Sequence, residues 1–329
     1  MTAPLGLIGV DIGGTKCAVL LGYWDADAAR MTPGERISFA TETSRGPQYA
    51  INRITEAIGA LQGRAEVPPR AIGISCGGPL DSDRGLVLSP PNLPGWDALP
   101  IAAQLSQRFG LPARLQNDAN ACALAEWRFG AGQGTRHMVF LTFGTGMGAG
   151  LILNGALYEG ACGMAGEIGH LRLTDFGPVG FGKAGSFEGW CSGGGIAQLA
   201  RIRAVEQLQV GRAVGFCPTM AHLQDLSARV VAEAADAGDP LAQEIFAQCG
   251  RLLGRGLSLL IDAFNPQRIV IGSIFARARH LLWPQASQVI AAEAIPLNRD
   301  ACQVVPAGLG EQIGDYAALA IALDAAGRN

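Results

Sequence analysis

The sequence predicts an α/β protein made of two lobes, and three observations support this fold class. Apolar runs with the composition of strands alternate with helical segments, which is the order of βαβ units. A strand, a glycine-threonine turn and a second strand occur together twice, at 7–21 and 140–153, which we interpret as a weak internal repeat. The length of 329 residues suits about two domains.

Composition and charge exclude several classes of protein. With 49% apolar and 16% charged residues, the chain can form sizeable cores and is not a disordered protein. A formal net charge of −3 disfavours nucleic acid and anionic membranes as partners. Because no stretch has the length of a membrane span and no signal peptide is recognisable, we expect a cytoplasmic protein. The eight scattered cysteines include no Cys-x-x-Cys pair, as is typical of a reducing compartment.

The first lobe is predicted to cover residues 1–117. It begins with a β-hairpin at 7–21, where a Gly-Gly turn joins two β-rich runs. The charged stretch from Asp25 to Arg36 is predicted as a turn-rich connection. The elements that follow are predicted as a helix at 48–61, a strand at 71–78, a loop at 79–95, a helix at 99–109 and a strand at 112–118.

The second lobe is predicted to cover residues 118–313. An alanine-rich helix with an Asn or Asp cap begins it, and the second hairpin follows. The elements after that are predicted as a glycine-rich loop region at 155–195, helices at 197–209, 222–236 and 240–264, and a strand at 267–273. A last helix, at about 314–327, is expected to pack back on the first lobe.

The first candidate motif is the hairpin turn Asp11-Ile12-Gly13-Gly14-Thr15-Lys16. Paired glycines let a turn present backbone N–H groups to an oxyanion, and Thr15 and Lys16 add a hydroxyl and a positive charge. Asp11 suits an anion only if a divalent cation lies between them, so we expect it to hold Mg²⁺ through water. An ordinary Gly-Gly hairpin is the alternative interpretation.

The second candidate motif, Gly144-Thr145-Gly146-Met147-Gly148, repeats the same design after an apolar strand. Its spacing matches neither the lysine-bearing P-loop nor the dinucleotide fingerprint. We expect the two turns together to hold a polyphosphate, with Thr145 and Gly146 facing it. The pair is stronger support for this hypothesis than either turn alone.

Asn117-Asp118-Ala119-Asn120 follows a strand and opens a helix. Helix capping explains one of these three polar residues. A carboxylate at this place can orient and deprotonate a hydroxyl during phosphoryl transfer, so we predict that Asp118 is the catalytic base.

Further polar residues are predicted to bind a ligand rich in hydroxyl groups. Carboxylates and an imidazole suit such a ligand, and ligands of open α/β sheets bind at strand ends. For Glu159 alone we favour a solvated loop position. The predicted substrate-binding residues are Gly78, Asn92, Asn117, Glu167, His170 and Glu188.

These motifs resemble the ROK family of bacterial sugar kinases and repressors, within the actin/hexokinase-like ATPase superfamily. The resemblance covers essentially the whole chain, because DIGGTK, GISCGGPLD, SPPNLPGW, NDANACALAEW, LTFGTGMGAGLILNG, GEIGH and NPQRIVIGS occur in the family's order. It implies a two-lobed actin/hexokinase-like (ribonuclease H-like) fold with mixed sheets, in which ATP and sugar meet in an interlobe cleft.

The resemblance also implies roles for residues. Asp118 corresponds to the base that deprotonates the sugar hydroxyl, usually that on carbon six of a hexose. Residues implied on the nucleotide and magnesium side are Asp11, Gly13, Gly14, Thr15, Lys16, Thr145, Gly146 and Gly272. Gly272-Ser273 stands where the family commonly has a Gly-Gly pair beside the adenosine.

One departure from the family concerns zinc. Many members bind zinc with the histidine of GEIGH and three cysteines, whereas the corresponding stretch here, VGFGKAGSFE, has no cysteine. We therefore predict no zinc site, with Phe181, Phe187 and Trp190 packing where the metal would order the loop. A site made of Cys162, His170 and Cys191 is a less favoured alternative.

Several functional alternatives stay open at this stage. An ATP-dependent hexose or hexosamine kinase is favoured. A repressor would need a DNA-binding segment, and a non-catalytic sugar-sensing protein of the family is the main alternative. The sequence does not separate glucose, mannose, N-acetylmannosamine, fructose or allose, nor ATP from polyphosphate. A homodimer is suggested by family analogy alone.

Overall fold

The computed structural model describes residues 3–327. The strands are β1 (Leu5–Ile12), β2 (Lys16–Asp25), β3 (Arg30–Ala40), β4 (Pro69–Cys76), β5 (Leu80–Asp81), β6 (Leu86–Val87), β7 (Ala113–Asn117), β8 (Met138–Leu141), β9 (Ala149–Leu153), β10 (Ala156–Tyr158), β11 (Val179–Gly180), β12 (Lys183–Ala184), β13 (Arg268–Ile271) and β14 (Gln303–Pro306). The helices are α1 (Pro47–Arg64), α2 (Ile101–Phe109), α3 (Asp118–Phe129), α4 (Phe187–Trp190), α5 (Gly193–Gln209), α6 (Ala228–Asp236), α7 (Pro240–Phe264), α8 (Ile274–Glu293), α9 (Pro296–Ala301) and α10 (Ile313–Ala326).

The chain forms two compact units. The first unit is Met1–Gly134, Gly150–Ala165 and Gly308–Asn329, and the second is Thr135–Ala149 and Gly166–Ala307. This division differs from the predicted boundary at residue 118, because α3 and the β9–β10 hairpin belong with the first unit. Among the helices within 3–327, none is long and apolar enough to cross a membrane.

The first unit is built on a five-stranded sheet of order β3-β2-β1-β4-β7. The predicted hairpin is confirmed, since β1 and β2 pair antiparallel. Strands β1, β4 and β7 run parallel, and their register aligns Asp11 with Ser75 and Ser75 with Gln116. The carboxyl ends of these three strands therefore lie side by side, which is the edge where open α/β sheets carry ligands.

The prediction of a turn-rich connection at Asp25–Arg36 is wrong over most of its length. Strand β3 begins at Arg30 and pairs with β2, with Met31 opposite Trp24 and Phe39 opposite Cys17. It is an edge strand whose residues are mostly exposed, so its charges face solvent and hide the strand pattern in the sequence.

Two helical layers cover this sheet. Alternate residues of β1 face opposite sides, so Ile8 packs with Ile54 and Ile58 of α1, whereas Leu7 packs with Leu319 of α10. The alanine-rich surface of α10 lies directly on the sheet. A Cβ on Gly73 of β4 would lie 2.1 Å from the carbonyl oxygen of Ala318 of α10.

Helix α3 is fixed at its far end by a buried carboxylate. Glu126, which is 0% exposed, accepts hydrogen bonds from the N–H groups of Ala131 (2.7 Å), Gly308 (3.0 Å) and Leu309 (2.9 Å). These bonds satisfy a buried charge and tie the end of α3 to the segment that leads into α10.

The second unit contains parallel strands β8, β13 and β14, with Ile269 opposite both Val139 and Val304. The predicted helix at 240–264 is confirmed as α7. Asp239 caps it by accepting the Ala242 N–H at 3.0 Å, and Asn265 ends it in the left-handed region at φ 43°.

Three further sequence predictions need correction in the second unit. Helix α5 begins at Gly193 and not at 197, because Ser192 caps it by accepting the Gly195 N–H at 3.0 Å. The predicted helix at 222–236 is two elements, since Leu226 is extended and Ser227 caps α6. The predicted loop region also contains the β11–β12 hairpin and helix α4.

Candidate active site

The first glycine turn joins β1 to β2 and is held by a threonine from outside the turn. The N–H of Gly13 donates to the carbonyl of Lys16 at 3.1 Å. Thr41 follows β3, is 1% exposed, and donates its hydroxyl to the carbonyl of Gly13 at 2.6 Å. Its N–H donates to the carbonyl of Thr15 at 3.0 Å. The residue that fixes this turn therefore comes directly after strand β3.

Two predicted substrate-binding asparagines contact the predicted glycines. A Cβ on Gly14 would lie 2.5 Å from the carbonyl oxygen of Asn92. The backbone of Asn92 therefore packs against the turn so closely that only glycine fits at this position. A Cβ on Gly78 would lie 3.3 Å from Nδ2 of Asn117. The first unit thus brings Gly14, Asn92, Gly78 and Asn117 together in these two pairs.

Asp118 stands at the junction of β7 and α3. Asn117 is the helix cap, with its Oδ1 accepting the Ala119 N–H at 2.9 Å, and Asp118 Oδ1 accepts the same N–H at 2.8 Å. A carboxylate in the first turn of a helix is stabilised by the helix dipole. The helix start therefore offers an N–H donor and a favourable dipole to the carboxyl group of Asp118 at the edge of the sheet.

Asp11 lies close enough to Asp118 for their charges to interact. Burial, and next the charge of Asp118, raise the pKa of Asp11 to about 6. Asp315 also raises this pKa, while Arg36 and Lys16 lower it, and Arg36 pairs with Asp315 at 3.0 Å. Burying one carboxylate beside another is unfavourable, so these residues fit a divalent cation with oxygen ligands such as Mg²⁺.

The second glycine turn, at 142–148, is held within its own hairpin. The Thr142 N–H donates to the Gly148 carbonyl at 2.9 Å, and the Gly148 N–H donates to the Thr142 hydroxyl at 2.7 Å. The Gly144 N–H donates to the Gly146 carbonyl at 3.1 Å. This threonine, unlike Thr41 in the first turn, comes from the turn itself.

Helix α5 begins against the second turn. The N–H groups of Gly193 and Gly194 donate to the carbonyls of Gly144 and Thr145 at 2.7 and 3.1 Å. These bonds satisfy two of the donors that a helix start leaves without partners and fix the helix to the turn.

Glu188 contacts the second turn directly. Its Oε2 accepts the N–H of Met147 at 2.9 Å. A Cβ on Gly146 would lie 2.7 Å from the same oxygen, and a Cβ on Gly169 would lie 3.4 Å from the Glu188 Cβ. Glu188, predicted to bind substrate, therefore links the second turn to the segment that carries His170.

His170 is half-buried and Glu167 is exposed, in the short helical turn after the second hairpin. The carbonyl of His170 accepts from Lys183 Nζ at 2.7 Å, and its ring meets the Phe181 ring edge-on at 5.1 Å. Glu167 joins these contacts through its backbone, because its carbonyl accepts the His170 N–H at 3.2 Å.

The loop that replaces the zinc motif is partly as predicted. Phe187 is 0% exposed and Trp190 5%, and Trp190 Nε1 donates to the Thr174 hydroxyl at 2.8 Å. The prediction that Phe181 is packed is wrong: it is 75% exposed because it sits at the tip of the β11–β12 hairpin, at φ 42°. Within 3–327, no group of three or more His, Cys, Asp or Glu side chains could hold a metal ion; the absence of zinc stays a prediction.

A cavity of about 790 Å³ lies beside the second turn. This volume suits a nucleoside. Its polar lining includes Thr145, Gly193, Ser273, Arg277, Asp236 and His280. Gly272 precedes the lining residue Ser273, and its N–H donates to the Leu141 carbonyl at 2.9 Å. Ser273, at φ 52°, occupies a backbone conformation that favours glycine.

Sequence reasoning missed several residues of these sites. No local sequence pattern points to Thr41 or Gln116, because only the folding of the sheet brings them to the motifs. The start of α5 does have a local sequence pattern, because a serine such as Ser192 just before a helical segment is a typical cap. The predicted residues thus form two sets: Asp11, Gly13, Gly14, Thr15, Lys16, Gly78, Asn92, Asn117 and Asp118 lie in the first unit, and Thr145, Gly146, Glu167, His170, Glu188 and Gly272 in the second.

Comparison with known proteins identifies the family. The sequence pattern of the ROK family matches residues 7–325. A glucokinase of Halalkalibacterium halodurans is 32% identical over 93% of this chain and 92% of its own length. The crystal structure of a ROK hexokinase from Thermus thermophilus matches with a TM-score of 0.80 and 29% identity, over 99% of this chain and 100% of that one. A ROK family glucokinase from Streptomyces griseus, solved with glucose and AMPPNP, matches with a TM-score of 0.74 and 31% identity, over 97% and 99%.

These matches confirm the predicted fold class, since the neighbours share the α/β architecture with mixed sheets over their full length. The family pattern spans nearly the whole described chain and includes both glycine turns and the start of α3. The chain belongs to the ROK family.

Proposed function

We propose that this chain, an ATP-dependent sugar kinase, transfers the γ-phosphoryl group of ATP to the 6-hydroxyl of a hexose or hexosamine. The observation that carries the proposal is the placement of Asp118. It follows β7, which lies in the same sheet as the β1 strand of Asp11 with only β4 between them, and its charge acts on Asp11. Glucose is the first acceptor to test, because a glucokinase is among the relatives, at 32% sequence identity to this chain.

Asp118 accepts the proton of the attacking hydroxyl in this proposal. Phosphoryl transfer proceeds through a loose transition state, so the base has mainly to orient the nucleophile and take its proton late. The cap at Asn117 and the bond from the Ala119 N–H hold the carboxylate in one orientation.

The sugar is proposed to contact Gly78, Asn92, Asn117, Glu167, His170 and Glu188. The amides among these can donate to a hydroxyl or accept from it, and the carboxylates can accept from it. Asn92 and Asn117 are supported by their contacts with glycines of the same edge of the sheet. Glu188 is supported by its placement beside Gly169, the neighbour of His170.

The nucleotide is proposed to bind through backbone N–H groups of the turns and through the cavity beside Thr145. Gly13, Gly14, Thr15 and Lys16 would serve the phosphates, and the cavity that Ser273 lines would take the nucleoside. When bound, Mg²⁺ neutralises charge on the phosphates, and Asp11 would hold it through water.

The test is a coupled measurement of ADP release across a panel of sugars. We expect glucose or another hexose to raise ADP release well above the rate without sugar, and mass spectrometry to find the 6-phosphate. Replacing ATP with polyphosphate tests the donor in the same assay. If no sugar raises ADP release while calorimetry detects sugar binding, the chain is the non-catalytic sugar-sensing protein instead.

Homodimer formation is proposed by analogy with the family alone. Light scattering after size-exclusion chromatography is expected to give twice the mass of one chain. A single-chain mass at the concentration of the activity assay would overturn it.

A further inference from the structure

A hydrogen-bonded chain of polar side chains lies behind Asp118 in the first unit. Gln116, 1% exposed on β7, accepts with Oε1 from the backbone N–H of Asn117 at 2.7 Å and from Asn120 Nδ2 at 3.2 Å. Its Nε2 donates to Oε1 of Glu159 at 2.8 Å. The side chain of Gln116 therefore bonds residues on both sides of Asp118.

Glu159 is not the solvated loop residue that the sequence favoured. It follows β10, and its side chain is 24% exposed. Besides Gln116, it accepts from the Ser82 hydroxyl at 3.0 Å and pairs with Arg114 at 3.4 Å. Three donors from two separate segments, β7 and the loop that follows β5, thus hold this carboxylate in one place.

The chemistry of Glu159 fixes the orientation of the Gln116 amide. An amide has a donor end and an acceptor end that are nearly the same shape, whereas an ionised carboxylate only accepts hydrogen bonds. With Glu159 present, Nε2 must face the carboxylate, so Oε1 must face the Asn117 N–H. Without it, the amide can turn and set its NH₂ against that N–H, which leaves buried donors without acceptors.

We propose that Glu159, acting through Gln116, is a positioning residue for Asp118. The proposal rests on the proposed function, in which Asp118 accepts the hydroxyl proton. Asn117 and Asn120 flank Asp118 in the first turn of α3, so a fixed Gln116 holds the backbone that aims the carboxylate. Displacement of a catalytic group by about 1 Å can cost about 10²-fold in rate, so a modest loosening of this turn is measurable.

The test compares three variants of the full chain. Glu159→Ala removes the acceptor, and we expect kcat to fall about tenfold while KM for sugar and for ATP changes less than about twofold. Glu159→Gln keeps one acceptor oxygen and is expected to recover most of that loss. Asp324→Asn is the matched control: Asp324 also pairs with Arg114 at 3.4 Å, and with Arg128, but does not reach Gln116 by any described bond. We expect it to keep wild-type kcat.

Melting temperature and hydrogen–deuterium exchange across residues 113–121 accompany the kinetics. Glu159→Ala should speed exchange at Asn117, and Asp324→Asn should not. The proposal is overturned if both variants lower kcat equally, or if Glu159→Ala keeps wild-type kcat. If the wild type phosphorylates no sugar, the proposed function fails; the exchange data then decide alone, and unchanged protection in Glu159→Ala overturns the proposal.

Discussion

The two glycine turns share a sequence pattern and differ in what surrounds them. The first turn has two interacting carboxylates near it, those of Asp11 and Asp118, and is fixed by Thr41, which follows β3. The second turn is fixed by its own Thr142, by the start of α5 and by Glu188, and it borders a nucleoside-sized cavity.

This difference indicates that the two turns have different roles. A turn between two strands supplies backbone donors in both units, but residues far away in sequence decide what each turn can do. Carboxylates beside the first turn suit proton transfer and a cation, whereas the helix start and cavity beside the second suit binding of a nucleotide.

The largest expected effect on activity comes from replacing the proposed base, Asp118, beside the first turn. Asp118→Asn keeps the shape and the acceptor for the Ala119 N–H but removes the basic oxygen pair. We expect kcat to fall about 10³-fold, with sugar affinity by calorimetry nearly unchanged. Activity within about tenfold of wild type would remove Asp118 from the role of base and with it the assignment of chemistry to the first unit.

Asp11→Asn tests how much the ionised carboxylate of Asp11 destabilises the folded protein. The pKa of Asp11 is raised from 3.8 to about 6, so between these pH values the folded state holds a proton that the unfolded chain has lost. The free energy of unfolding therefore falls as pH rises through this window, and above it the ionised carboxylate costs up to about 3 kcal/mol.

The variant cannot ionise at this position, so we expect a higher melting temperature than wild type at pH 8 without ligands. The same measurement at pH 4 is the control, because the gain should be nearly absent there. Activity with ATP and sugar should fall in the variant. Equal melting temperatures at pH 8 would show that the two carboxylates do not interact as described.

Alanine at one glycine of each turn compares the surroundings of the two turns directly. At Gly14 the new Cβ would meet the Asn92 backbone carbonyl at 2.5 Å, which cannot move without the loop. At Gly146 it would meet the end of the Glu188 side chain at 2.7 Å, which can rotate away. We expect kcat/KM to fall about 10²-fold for Gly14→Ala and less than about tenfold for Gly146→Ala. The reverse order would show that the second turn is the more tightly fixed.

Local signals explain which parts of the fold could be predicted from the sequence. Both hairpins carry glycine turns between apolar runs, and α7 has a proline at its start and Asn265-Pro266 at its end. Strand β3 was missed because an exposed edge strand with Arg30 and Arg36 resembles a charged loop.

The sequence displays some residues of the candidate site and hides others for one physical reason. Asp11, Asp118 and the turn residues lie within contiguous motifs, so the chain itself displays them. Thr41 and Glu159 act through hydrogen bonds to segments 28 and 43 residues away, and such partners follow from strand register and side-chain geometry that no short pattern encodes.

Glu188→Gln is the smallest and most discriminating change. One carboxylate oxygen accepts the Met147 N–H of the second turn, and the proposed role of the other is to contact sugar. Glutamine keeps one acceptor, so we expect KM for sugar to rise about threefold to tenfold and KM for ATP to rise by less. If KM for ATP alone rises, Glu188 serves the turn and not the sugar. The second unit would then lose a proposed sugar contact, because the only effect of this carboxylate would be on the nucleotide.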